Sequence, residues 1–90
     1  MVSTPPASTD DSDRDQRWAL YRETVGRQIR SLRLRENLSQ ESLALEAGMS
    51  RDNLIKVEHG RRSITFERIY DLASALGVPV SHLLPDIDQH

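Results

Sequence analysis

Residues 38–60 read LSQESLALEAGMSRDNLIKVEHG, and this stretch decides how the chain folds. Ser39 is a natural N-cap for a first short helix, and Ser50 is one for a second. Gly48 supplies the positive φ that ends the first helix, and Gly60 stops the second. Residues 39–59 therefore predict two helices of roughly two to three turns each, joined by a tight turn in a helix-turn-helix geometry.

The apolar residues of this stretch share the inside of the corner between the two helices. They are Leu43, Ala44, Leu54 and Val57. Polar residues near the start of the second helix are left pointing outward, namely Arg51, Asp52, Asn53 and Lys56. Polar side chains at the N-terminus of a helix can reach base edges in the major groove of DNA.

These residues resemble the helix-turn-helix of the lambda-repressor-like regulators of the xenobiotic-response-element (XRE) type. The resemblance rests on VGRQIRSLR at residues 25–33, on the pattern of residues 38–60 and on LASALGVP at residues 72–79. It covers about residues 21–84, which is most of the chain. The resemblance implies a DNA-binding domain whose second short helix is the recognition helix.

Four residues of the recognition helix are candidates for reading bases. Arg51 and Lys56 can each donate to the guanine edge, unless they only form a solvated helix face. Asp52 either accepts from a cytosine amino group or is a favourable charge in the first helical turn. Ile55 either packs on a thymine methyl group or is one more partly exposed apolar residue.

A second group of residues is expected to contact phosphate and not bases. The group consists of Ser39, Gln40, Ser50, Asn53, Arg61 and Arg62. In the family that this chain resembles, the residue at the position of Gln40 holds a phosphate and supports the recognition helix. The alternative is that Gln40 is an ordinary polar residue of the first helical turn. Arg61 and Arg62 lie in a polar loop and are expected to clamp phosphates.

The resemblance also implies a structural ion pair between Arg33 in the first helix and Glu58 at the end of the recognition helix. This pair is expected to be mostly buried. Removal of one partner would leave the other charge unpaired, at a cost on the order of 3 kcal/mol. Glu58 is therefore not expected to act as a catalytic acid.

The composition is that of one small domain. The chain has 90 residues, no Cys and a formal net charge of −2. Residues 21–84 carry nine Arg and one Lys against eight acids, while both ends are acidic. A local basic face is what phosphate contact requires. His59, His82 and His90 are scattered, and no apolar segment has membrane-spanning length, so we expect neither a metal site nor a membrane anchor.

The first helix is expected to be longer than in the lambda-repressor-like family that this chain resembles. Residues 1–11 are predicted to be a disordered arm, and Ser12 is predicted to cap a helix that runs to about Glu36 and ends through Asn37. Apolar residues recur along it at spacings of three and four from Trp18 onward. Trp18 lies in the added part, where it either covers the edge of its own core or contacts a second subunit.

The remainder of the chain predicts two more helices and a polar tail. Thr65 caps a fourth helix, which Gly77 ends, with its buried face formed by Phe66, Ile69, Leu72, Ala73 and Leu76. Residues 78–84 predict a short fifth helix, and residues 85–90 form the tail. The domain at residues 12–84 is thus all-α, a compact bundle of five helices. Candidates for a dimer interface are Trp18, Val78, Val80, Leu83 and Leu84.

The function predicted from these features is that of a sequence-specific transcriptional regulator, a repressor or a controller protein. A homodimer on a two-fold symmetric stretch of double-stranded DNA is expected, because one recognition helix buries little surface. The expected location is the cytoplasm, on the nucleoid when bound. The alternative is a protein-binding module, such as an antitoxin that holds a toxin. An enzyme is disfavoured, since no catalytic constellation or cofactor motif is visible.

Overall fold

Three of the described helices begin directly after the capping residues that the sequence predicts, Ser39, Ser50 and Thr65. The computed structural model describes the backbone of residues 7–84 and the side chains of residues 12–84. The elements in this part are α1 Ala7–Arg35, α2 Gln40–Ala47, α3 Arg51–Glu58, α4 Phe66–Leu76 and a 3-10 helix at Val80–His82. The fold of the described residues is therefore all-α, as predicted.

The turn between α2 and α3 is built as the sequence predicts. Ser39 Oγ accepts a hydrogen bond from Ser42 N at 2.9 Å, and Ser50 Oγ accepts one from Asn53 N at 3.1 Å. These bonds satisfy backbone donors that the first turn of each helix leaves without a partner. Gly48 has a φ of 72°, in the left-handed region, and so turns the chain sharply from α2 toward α3.

Helix α1 begins earlier than predicted. It starts at Ala7 and not at Ser12, so residues 7–11 are helical, while residues 1–6 of the predicted arm lie outside the described residues. The sequence explains the early start, because neither Gly nor Pro interrupts residues 7–25. At the other end, Asn37 adopts a φ of 59° and leads the chain out of the helix as predicted. No helix among the described residues is both long and apolar enough to cross a membrane.

Two further predictions about the C-terminal half were wrong. The fifth helix is only a 3-10 turn, closed by bonds from His82 N to Pro79 O and from Leu83 N to Val80 O, each 2.9 Å long. This tight turn directs Leu83 into the core. Phe66 was expected on the buried face of α4 but is 67% exposed, because it is the first helical residue and stacks outward on Tyr70 at 5.1 Å. The predicted tail, residues 85–90, lies outside the described residues.

The core lies where α1 packs on α3 and α2 packs on α4. Its fully buried side chains come one from each of the four α-helices and one from the residue after the 3-10 helix: Ile29, Leu43, Leu54, Leu72 and Leu83. Burial of each such side chain stabilises the fold by about 1.5–3 kcal/mol. The core therefore holds α3 firmly against the rest of the chain.

Gly26 determines how closely α1 approaches the end of α3. A Cβ atom at this position would lie 2.3 Å from the carbonyl oxygen of Val57 and 2.7 Å from that of Glu58. Backbone atoms cannot move aside as the end of a flexible side chain can. The missing side chain thus lets α1 lie directly against the last turn of α3.

Candidate nucleic-acid interface

Helix α3 is anchored by a buried polar network at its last residue. Arg33 Nε donates to Glu58 Oε2 at 2.7 Å, and Arg33 Nη2 donates to Glu58 Oε1 at 3.1 Å. The two side chains are only 8% and 1% exposed. Gln40 Nε2 donates to the same Glu58 Oε1 at 3.1 Å, and Arg33 Nη1 donates to the carbonyl of Leu38 at 2.9 Å.

This network ties three elements of the helix-turn-helix to one carboxylate. It joins α1 through Arg33, the start of α2 through Gln40, and the end of α3 through Glu58. Among the described residues, every buried side-chain nitrogen and oxygen has a hydrogen-bond partner. A fork-to-fork pair of this kind fixes direction as well as distance, so it orients α3 relative to α1 and α2.

Arg68, which was not predicted from the sequence, fixes the other side of the turn. Its Nη1 donates to the carbonyl of Ala47 at 2.7 Å and to that of Gly48 at 3.1 Å, and it also pairs with Asp71 at 3.1 Å. The last carbonyls of α2 have no partner within the helix. Arg68 supplies one from α4, which holds the turn between α2 and α3 in place.

The predicted base-reading residues lie together along α3. Arg51 and Asp52 are exposed at its start, while Ile55 and Lys56 are half-buried one turn later. Lys56 Nζ pairs with Asp52 Oδ2 at 3.2 Å, in an i, i+4 arrangement. An exposed pair of this kind contributes about 1 kcal/mol or less, so Lys56 can exchange Asp52 for another acceptor.

The predicted phosphate-contacting residues surround α3. Arg62 Nη1 donates to Asn53 Oδ1 at 2.7 Å, which brings the loop after α3 against its first turn. Arg61 is exposed next to it, in a turn closed by Arg61 N and Lys56 O at 2.8 Å. The hydroxyl oxygens of Ser39 and Ser50 accept capping bonds. The Ser50 hydroxyl proton can still be donated to a phosphate, whereas Ser39 Oγ donates to Ser42 Oγ at 3.1 Å and would have to exchange that bond for a phosphate.

The predicted dimer residues do not form one surface. Leu83 is fully buried in the chain's own core, so its assignment to a dimer interface was wrong. Val78 and Val80 are half-buried and also pack against the core. Trp18 is 53% exposed, stacks edge-on against Tyr21 at 5.4 Å, and shares with exposed Leu84 an apolar cleft of about 290 Å³.

A polar groove of about 700 Å³ lies between α1 and the starts of α2 and α3. Arg51 and Gln40 line it together with Arg27 and Arg30 of α1. Arg27 and Arg30 were not among the residues predicted to contact DNA. The available signal was the regular spacing of three from Arg27 to Arg30 and from Arg30 to Arg33, since residues three apart on a helix lie on the same side.

Comparison with known proteins agrees with this geometry. The family model described as Helix-turn-helix matches residues 29–83. An uncharacterized transcriptional regulator in the ATPase CF(0) region of Rhodospirillum rubrum is 38% identical over 65 residues, which are 72% of this chain and 60% of that protein. Control protein C.BamHI of Bacillus amyloliquefaciens is 37% identical over 60 residues, which are 66% of this chain and 74% of that protein.

The solved structures give the same result. The restriction-modification controller protein C.AhdI from Aeromonas hydrophila has a TM-score of 0.68 with this chain at 35% identity, covering 69% of this chain and 94% of that one. This chain thus spans nearly all of that structure but less than two thirds of the R. rubrum relative. Because the family model matches more than half of the residues, the chain belongs to the XRE-type, lambda-repressor-like helix-turn-helix family of DNA-binding transcriptional regulators.

Proposed function

We propose that this protein is a sequence-specific regulator of transcription that binds a two-fold symmetric operator as a homodimer. The observation that carries the proposal is the anchoring of α3. Its last residue is held by the buried Arg33–Glu58–Gln40 network, while its first residues, Arg51 and Asp52, stay exposed. A helix that is rigid at one end and polar at the other suits insertion into a major groove.

The residues of the site fall into two groups, those that contact bases and those that contact phosphates. Arg51 and Lys56 donate to guanine edges, and Asp52 and Ile55 contact a cytosine amino group or a thymine methyl group beside them. The phosphate contacts come from the loop residues Arg61 and Arg62, and from a further set beside the helix starts: Ser39, Gln40, Ser50 and Asn53. Phosphate contacts position α3, and base contacts give the sequence preference.

The homodimer is proposed from the geometry of DNA and from one exposed cleft. Two half-sites about 34 Å apart bring two recognition helices to the same face of the duplex. Trp18 and Leu84 were predicted on competing surfaces, α1 and the C-terminal turn, yet both line the same apolar cleft. One cleft can therefore supply the contact with a second copy, in the cytoplasm where the nucleoid is accessible.

A second candidate function is the binding of a different protein through the same cleft. Its supporting observation is the exposed Trp18, whose ring is only partly covered by Tyr21. An antitoxin would use this surface to hold a toxin and would still bind DNA through α3. A controller of a restriction–modification system or a phage repressor would use it for a second copy of the same chain. The proposed role in each case requires no catalytic residue.

Selection of bound fragments from sheared genomic DNA by the purified protein tests the function. The expected result is enrichment of a short inverted repeat, with its half-site centres about one helical turn apart. Sedimentation equilibrium of the protein alone, in the same buffer, is expected to give a dimer. Enrichment of no sequence at physiological salt, where non-specific binding is weak, would contradict DNA reading. A monomer bound to a single half-site would contradict the homodimer.

A further inference from the structure

The groove between α1 and the helix-turn-helix carries an excess of positive charge. Its lining includes the four guanidinium groups of Arg27, Arg30, Arg33 and Arg51, against the carboxylates of Glu41 and Glu58. The Arg33–Glu58 pair neutralises itself in the floor of the groove. The remaining three arginines therefore face a single carboxylate, that of Glu41.

Among the described residues, the positive charges of Arg27 and Arg30 form no ion pair that would stabilise the fold. Both are exposed, and their only hydrogen bond among the described residues runs from Arg27 Nη2 to Thr24 Oγ1 at 3.5 Å, which is long. Neither has an acidic partner in that part of the chain. Two cations one helical turn apart repel each other. An anion bound near both guanidinium groups would offset that repulsion.

The groove begins where DNA is expected to lie. Arg51, the first residue of α3, and Gln40, the first residue of α2, form its rim on the helix-turn-helix side. Arg27 and Arg30 lie across from them on α1. A duplex whose major groove receives α3 would thus have one of its sugar–phosphate strands at the mouth of this groove.

We propose that Arg27 and Arg30 bind backbone phosphates of the strand that flanks the half-site, so that α1 forms part of the DNA interface. The contact is electrostatic and independent of base sequence. This inference rests on the proposed DNA binding and extends it from the helix-turn-helix to α1.

The test measures operator affinity over a series of salt concentrations for the full chain and for Arg27→Gln, Arg30→Gln and the double variant. Each lost phosphate contact reduces the slope of log K against log salt by about 0.9. Because the proposed homodimer carries each substitution twice, the double variant loses four contacts and is expected to lose about 3.6 from its slope. The ratio of operator affinity to random-duplex affinity is expected to stay within about twofold, since phosphates carry no sequence information.

The matched control is Arg17→Gln, which removes the same charge from the same helix. Arg17 is ten residues from Arg27, about 15 Å along the helix axis, and lies outside the groove. The Arg17→Gln variant is expected to have a slope of log K against log salt within about 0.2 of that of the unaltered protein. The variant with Lys at both positions keeps the charge and is expected to restore most of the slope.

Three results would overturn the proposal in different ways. An unchanged slope in the double variant, with DNA still bound, would show that α1 is not part of the interface. An equal loss of slope in Arg17→Gln would reduce the effect to net charge. Failure of the unaltered protein to bind any duplex at low salt would overturn the proposed function, and this inference with it. A thermal melt confirms that each variant is folded.

Discussion

At the residue scale, one carboxylate does the positioning in this domain. Glu58 accepts two buried hydrogen bonds from Arg33 and one part-buried hydrogen bond from Gln40. Burial of two charges is costly in itself, so the pair adds little net stability, but the loss of either partner leaves an uncompensated charge. The pair therefore specifies where α3 lies more than it stabilises the chain.

Glu58→Ala is expected to lower the free energy of unfolding by about 3 kcal/mol, because Arg33 is left buried without a counter-charge. Arg33→Ala should cost a similar amount, and the double variant less than the two single costs added together. Urea unfolding of the four proteins measures this coupling. Glu41→Ala, at an exposed position, is the control and should change little. Strict additivity would mean that the pair does not exist in solution.

Arg51→Ala is expected to weaken operator binding by about 1–3 kcal/mol and to relax the preference at one base of each half-site. Arg61→Ala is the matched comparison, since it removes the same charge from the adjacent loop. Arg61→Ala should weaken operator and random DNA alike and lower the salt slope by about 1 for each protomer, or about 2 for the proposed dimer. Fluorescence anisotropy on both duplexes measures the difference. Equal losses on both duplexes for Arg51→Ala would make it another phosphate contact.

At the scale of elements, two requirements oppose each other at Gly26. Helix propensity favours a residue with a side chain there, whereas the packing of α1 on α3 requires glycine. Within an isolated helix, replacement of Gly by Ala stabilises by about 0.5–1 kcal/mol. In this fold the added methyl group would meet the backbone oxygens of Val57 and Glu58 at 2.3 and 2.7 Å. The close approach of α1 and α3 should therefore decide whether Gly26→Ala raises or lowers the free energy of unfolding.

Gly26→Ala is expected to lower the midpoint of thermal unfolding, at a cost of about 1–3 kcal/mol as for other overpacked sites. Ser31→Ala is its control, since Ser31 is an exposed residue of the same helix, where only propensity acts. The control should be neutral or slightly stabilising. A rise in the midpoint for Gly26→Ala would show that α1 can move away from α3 at little cost.

The elements that could be predicted from the sequence are those with local signals. Ser39, Ser50 and Thr65 cap helices because a hydroxyl two or three residues before a backbone donor is a short-range contact. Phe66 was assigned to the wrong surface although α4 begins after Thr65 as predicted, because this first helical residue packs outward on Tyr70 and periodicity does not show where the core ends. Leu83 was assigned to the wrong surface because the predicted fifth helix is only a 3-10 turn, which changes which side chain faces inward. The contacts of Arg68 join residues 20 and 21 positions apart, which no periodicity indicates.

At the scale of the whole molecule, Trp18 is a large side chain that the single chain leaves 53% exposed. Trp18→Ala is expected to weaken self-association, while the operator sequence stays the same, because the ring lies on the apolar cleft with Leu84. Deletion of residues 1–15 should also leave the operator sequence unchanged. Sedimentation equilibrium and a thermal melt of Trp18→Ala, with Leu20→Ala as an exposed control on the same helix, separate association from stability. Loss of DNA affinity with association and melting unchanged would place the extension on the DNA side.

The length of α1 has a consequence for amide hydrogen exchange. Every described side chain from Ser12 to Trp18 is exposed, whereas the core residues of α1 begin at Val25. In the monomer, amides of the first turns are thus expected to exchange through local fraying, and those from Ile29 onward only through global unfolding. One continuous helix would then show two protection regimes. A dimer that closes over Trp18 would move the boundary between them toward the N-terminus, and exchange measured against protein concentration would record that shift.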